Sequence, residues 1–342
     1  LQFTEQFYNW VEENNLDLEE LSDDEVLKYF LVYVKDQSAT LLEYYKKETP
    51  NIVNNNKLIH YDFKKKHLIH WGNALNLLEM HIEICIRYGS NFSENRIQTK
   101  DSFYENHIGL LIRLHAKACS TANEILLLLK NGFADAAHAR WRSLHEINVT
   151  LKFIQTFGPE CSERFIAHEI YDSYYGMKSH KNHELRLQEK GPSENDCKII
   201  TELFRNAIKK YGKEFDSQYG WAVPFLNNIP GKAGFQTIEK AVNLDHMRPY
   251  FKWASQRVHI NTKTIINSLS LPYNNNHILN IGPSNYGLTD PAQAMAISLG
   301  QATTWLIMTE ESEKNVIIIN LLSELSQIIG KEFLKVASKL ES

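Results

Sequence analysis

The stretch "LLLLKNGFADAAHARWRSLHEINV", Leu126 to Val149, decides the fold. A leucine-rich segment runs into "KNG", a polar turn with a glycine suited to a left-handed helix C-cap. A second segment follows at once, with Leu144, Ile147, Leu151 and Ile154 at spacings of three and four. That is the period of a helix with one buried stripe. Two helices joined by so short a turn make an antiparallel helical hairpin.

The second helix is unusually charged for a core element. His138, Arg142, His145 or Glu146, and Val149 mark a stripe beside the apolar one. Arg142 and Glu146 stand i,i+4 and can pair along the helix. Extending the apolar stripe backwards reaches Arg140, which then points partly inward. An unpaired inward guanidinium is costly. A carboxylate such as Glu124, on the hairpin's other helix, is the expected partner.

Working outward, helix signals dominate. "SDDE" (Ser22–Glu25) is a capping box, followed by Val26, Phe30, Tyr33, Gln37, Leu41 and Tyr44 at helical spacing. Asn-rich "NIVNNNK" (Asn51–Lys57) reads as a loop, with a second helix from about Lys65 to Tyr88. The hairpin's first helix spans roughly Ser102–Lys130, and its second ends before Gly158 and Pro159. Further helices are expected at about Cys161–Glu189, Ser193–Tyr211, Met247–Leu269, Ala292–Met308 and Glu313–Leu340. Leu271–Pro291 reads as a long loop, with Asp290 as an N-cap and Pro291 at the first helical position. No strand run emerges. The expected fold is all-α: a multi-helix bundle, residues 96–342, with an added N-terminal helical region, residues 1–95.

Composition narrows the function classes. The chain has 342 residues, 43% hydrophobic and 23% charged, with net charge −4. No global basic field advertises nucleic acid, so a binder would need a local patch. Four cysteines, Cys85, Cys119, Cys161 and Cys197, form no CxxC pair. That excludes zinc-finger and thioredoxin readings and suits reduced thiols in a cytoplasmic protein. No apolar run approaches a membrane span, and "LQFTEQFYNW" lacks a secretory core. No Glu-x-x-His occurs, so no helical di-metal site is expected. No cofactor motif stands out: "NIGPSNYGLTDP" lacks the GK[ST] of a phosphate loop.

A second polar stripe lies in "RPYFKWASQRVHIN", where Ser255 and His259 stand i,i+4. They could form a hydrolase pair, though no third triad member is evident. The alternative is that Ser255 bonds back to its own helix and His259 is a core or site-lining histidine.

"ARWRSLHE" (Ala139–Glu146), "YGWA" (Tyr219–Ala222), "ASQRVH" (Ala254–His259) and "GPSNYGLTDP" (Gly282–Pro291) together resemble an uncharacterised bacterial all-helical family, a domain of unknown function. The chain is more loosely similar to the HEPN superfamily of helical bundles, whose mark is an arginine four to six residues before a histidine. Arg140 and His145 fit that spacing. Trp141 departs from it, because HEPN members often carry a polar residue there.

The HEPN resemblance implies a metal-independent RNase of bacterial stress, toxin–antitoxin or antiphage defence. Such a protein works as a homodimer on RNA, with a partner protein encoded nearby. His145 would move protons, Arg140 and Arg142 would stabilise the anionic phosphorane, and Glu146 would complete the catalytic set. His138, Ser255 and His259 would line the substrate site. The rival is a non-enzymatic binding or regulatory module, in which the network from His138 to Glu146 is structural and the loop Asn280–Pro291 meets a partner. An RNase requires Arg140 and His145 to converge on an accessible cleft. Finding both fully buried and mutually satisfied would sink that reading.

Overall fold

The computed structural model describes residues 2–97, 102–258, 268–271 and 280–341. The described residues are mostly helical, and none of them forms a strand. The chain divides into two compact units, Leu1–Lys65 and Lys66–Ser342.

In the first unit, α1 (Gln2–Glu13) lies against the start of α2 (Asp23–Ile97). Phe3 packs on Phe30 and Tyr33, and Trp10 on Tyr29, with ring centroids 4.6–5.4 Å apart. The Ser22–Glu25 capping box forms: Ser22 N–H donates to Glu25 at 3.0 Å, and Glu25 N–H to Ser22 Oγ at 3.4 Å.

The expected loop at Asn51–Lys57 is instead helix, and Pro50 lies inside it. Local bonds help here. Thr49 Oγ1 donates to the Tyr45 carbonyl at 2.8 Å, and Asn51 Nδ2 donates to Glu48 at 3.1 Å. Ile52, Leu58 and Ile59 also keep the helical apolar spacing, which outweighs the weak propensity of asparagine.

The second unit is built around the hairpin of α3 (Ser102–Lys130) and α4 (Ala134–Ala167). Gly132, at φ 76°, closes α3 as the sequence predicts. A kink at Gly158 divides α4 where a helix end is expected. Then come α5 (Glu169–Leu187), α6 (Glu194–Tyr211), the short α7 (Phe235–Ala241) and α8 (Arg248–Val258). Two more helices follow, α9 (Thr289–Ile307) and α10 (Glu313–Glu341). The last turn of the loop before α9 leaves Leu288 at the N-cap and Asp290 inside the helix, so the expected Asp290 cap is displaced by two residues.

α4 is the central element, packed against α3, α7, α8 and α9. It is therefore buried on more than one stripe. Trp141, Leu144, Val149, Leu151 and Ile154 are wholly buried, and so are His138, His145 and Asn148. Of the polar residues on these buried faces, His145 and Asn148 find hydrogen-bond partners on α7 and α9, and His138 packs its ring against Trp253 of α8.

Candidate functional site

The charged residues of α4 sort by direction. Arg140 faces α3, where its Nε donates to Glu124, the expected partner. Both side chains are partly exposed, 31% and 46%. Arg142 pairs with Glu146 one turn on, at 3.1 Å, and its guanidinium lies over Phe251, 5.1 Å from the ring centroid.

His145 points elsewhere. It is wholly buried, and its Nε2 donates to Glu239 of α7 at 3.0 Å. Glu239 is wholly buried too, and its other oxygen lies 2.8 Å from Arg248 Nε of α8. That second contact is an ion pair rather than an aligned hydrogen bond. Arg248 lies over Phe235 and Phe251, and both rings also abut His145. The result is a charge-bonded row, His145–Glu239–Arg248, walled by aromatic rings. A buried carboxylate persists only with such partners.

Tyr219 sits at the rim of this row. Burial pushes its phenol up, and the nearby Glu146 carboxylate pushes the same way, against Arg142 and Arg248. Thus "RWRSLHE", "YGWA" and the first residue of "RPYFKW" meet in one place.

His138 lies two turns before His145 on the same side of α4. Its ring stacks on Trp141 and meets Trp253 edge-on, and neither ring nitrogen has a hydrogen-bond partner. Burial lowers it from 6.5 to about 4; the Arg257 cation pushes the same way and Asp135 opposes. Arg257 is paired with Asp135 at 2.9 Å. Burial alone would raise the Asp135 carboxyl. Ser268, Arg257 and the backbone N–H of Leu269 together hold it below its ordinary value.

A third polar layer joins α4 to α9. Trp141 Nε1 donates to Ser298 Oγ at 2.9 Å, Asn148 Nδ2 to Gln301 at 2.7 Å, and Trp305 Nε1 to Asn148 at 2.9 Å.

Arg140 and His145 are not brought together. Five residues along a helix place them about 140° apart around its axis, and they serve different neighbours. Arg142 and Glu146 do share the neighbourhood of His145, through Phe251 and Tyr219. Ser255 Oγ donates to the Phe251 carbonyl at 2.8 Å, back along its own helix. His259 lies outside the described residues. Among the described residues no group of three or more His, Cys, Asp or Glu side chains could hold a metal ion, and no helix is long and apolar enough to cross a membrane.

Nothing in the residue pattern marks Glu239, a lone carboxylate in a seven-residue helix. Arg248 and Tyr219 belong to "RPYFKW" and "YGWA", where spacing alone marks neither residue. A basic residue opening an aromatic-rich helix, as in "RPYFKW", was the available signal for Arg248.

Fold and site together define an all-helical bundle with buried polar joints between its central helix and its neighbours. Residues 108–277 match the model of a family of unknown function, DUF5677. The match takes in "ARWRSLHE", "YGWA" and "ASQRVH" and ends before "GPSNYGLTDP". No curated protein and no solved structure matches the chain.

Proposed function

We propose that this chain is a non-enzymatic helical binding module, in which the Arg/His/Glu network holds α4 to its neighbours. The observation that carries this reading is the complete burial of His145 on Glu239, while Arg140 turns to Glu124. General acid–base catalysis needs a histidine within hydrogen-bond reach of a substrate proton. His145 offers no exposed edge, and its accessible neighbours Arg142 and Glu146 are already paired.

The loop ahead of α9 is the surface offered to a partner. From beneath, the Asn285 side-chain amide hydrogen-bonds His67 Nδ1 at 2.7 Å, the Asn285 carbonyl accepts from Trp71 Nε1 at 3.2 Å, and Ser284 N–H reaches the Gly132 carbonyl at 2.9 Å. Above this anchorage Ile281 is fully exposed. An exposed isoleucine on a loop held this firmly suits protein recognition.

The test is incubation of the wild-type chain with total and transfer RNA in EDTA, beside His145→Ala. The expected result is intact RNA with both proteins and a lower melting temperature for the variant. RNA cleavage by wild type that is lost in a folded His145→Ala variant would restore the HEPN-like RNase reading.

A further inference from the structure

We infer that residues 27–59 of α2 pair with the same residues of a second copy as an antiparallel coiled coil. This surface is separate from the polar joints of α4, and the inference does not rest on the binding-module reading.

The first unit carries more apolar surface than it covers. Leu27, Leu31, Val34, Leu41, Tyr45, Ile52 and Ile59 are all 41–66% exposed. With Ser38, Glu48 and Asn55 they form one unbroken row, alternating steps of four and three residues. That 3.5-residue period is the a/d seam of a coiled coil and differs from the broader stripe of a helix lying on a globular core. The outermost f positions of the same frame are Tyr29, which packs against Phe3 and Trp10 of α1, and then Asp36, Glu43, Pro50 and Lys57. Beyond the ring that α1 covers, these positions are charged apart from the helix-interior Pro50, which stands opposite the seam.

The row spans about 50 Å of helix. Two copies would bury on the order of 1,400 Å², within the roughly 1,200–2,000 Å² of a stable interface. Phe30, Leu42, Tyr44 and Leu58 flank the seam and widen it.

Charge sets the direction. One end of the row starts at Asp23, Asp24 and Glu25; the other ends at Lys64 and Lys65. Antiparallel pairing sets acidic ends against basic ends. Parallel pairing sets each against its own kind and places Glu48 opposite Glu48 in the seam. The antiparallel register with Leu41 opposite Tyr45 also sets Leu27 against Ile59, Val34 against Ile52, and polar Ser38 against polar Glu48. Leu31 facing Asn55 is its one mixed layer.

The full chain tests this by sedimentation and by disulfide trapping. Wild type is expected to sediment as a dimer at micromolar concentration, and Leu41→Asp with Tyr45→Asp as a monomer with unchanged helicity. Under mild oxidation a mixture of Leu27→Cys and Ile59→Cys chains is expected to give a covalent dimer absent from wild type, and Leu27→Cys alone to give none. A monomeric or tetrameric wild type, a dimer that survives the double aspartate variant, or efficient trapping of Leu27→Cys alone would each overturn the inference.

Discussion

His145 Nε2 lies 3.0 Å from Glu239 Oε1, and neither side chain reaches solvent. Glu239 therefore depends on His145 and on Arg248, and each depends on it. Removing the shared carboxylate strips both His145 and Arg248 of their partner, and breaking a buried ion pair costs about 3–5 kcal/mol. Glu239→Ala should lose that much in urea unfolding. His145→Ala should lose about 2–4 kcal/mol, because a cavity is added to a lost bond. The double variant should fall short of the sum by about 1–3 kcal/mol, as expected for direct partners. Strict additivity would mean that the two do not act on one another.

Acid should unfold this protein early. His81, His115 and His138 are buried, and burial lowers each from 6.5 to about 4. Between these values the unfolded chain binds protons that the folded chain does not. Stability is then complete above pH 6.5 and falls as pH drops toward 4. Each histidine contributes about 3 kcal/mol across that window, enough in sum to consume a typical domain's stability. Urea midpoints measured from pH 7.5 to 4.5 should fall steeply below 6.5. His115→Gln should flatten the slope by about one proton. A midpoint independent of pH over this range would refute the assignment.

The hairpin turn and the Arg140–Glu124 and Arg142–Glu146 pairs were legible in the sequence because each rests on local spacing or on neighbouring helices. The partners of His145 were not. Glu239 lies 94 residues away, in a helix too short to show a period. The single apolar stripe also assigned His138 and His145 to a polar face. A helix packed by neighbours on several sides buries more than one stripe, and a pattern read along one chain segment does not count its neighbours. Asn51–Lys57 misled for the opposite reason: its residue types favour loops, whereas its apolar spacing continues the helix.

Arg140 makes a useful contrast with His145. Its pair with Glu124 is partly exposed on both sides, and such pairs are worth about 1 kcal/mol or less. Arg140→Ala should shift the unfolding free energy by no more than that and leave the helical spectrum unchanged. A loss of several kcal/mol would show that Arg140 has buried work beyond Glu124.

The thiols should divide by burial. Cys85, Cys119 and Cys161 are buried and Cys197 is half-buried. Burial pushes Cys85 and Cys119 up to about 12, far from the thiolate form that reacts with disulfide reagents. An aromatic disulfide reagent at pH 8 should therefore modify Cys197 in the folded chain and reach all four cysteines only in denaturant. Fast reaction of Cys197→Ser in the folded state would show that the bundle opens around α2, α3 or α4.

Gly287 ties the loop ahead of α9 to the hairpin. It has φ 77°, and a β-carbon there would stand 2.3 Å from the Leu269 carbonyl oxygen. Leu269 in turn is fixed through its N–H to Asp135 at the start of α4. Gly287→Ala thus meets both a disfavoured backbone angle and a rigid backbone neighbour. The expected cost is about 2 kcal/mol or more. It should appear first as faster hydrogen exchange at Ser284 and Tyr286, since the loop must lift to relieve the clash. An unchanged melting temperature and unchanged exchange would mean that the loop is not held as the Asn285 and Ser284 bonds require, and the surface proposed for a partner would lose its support.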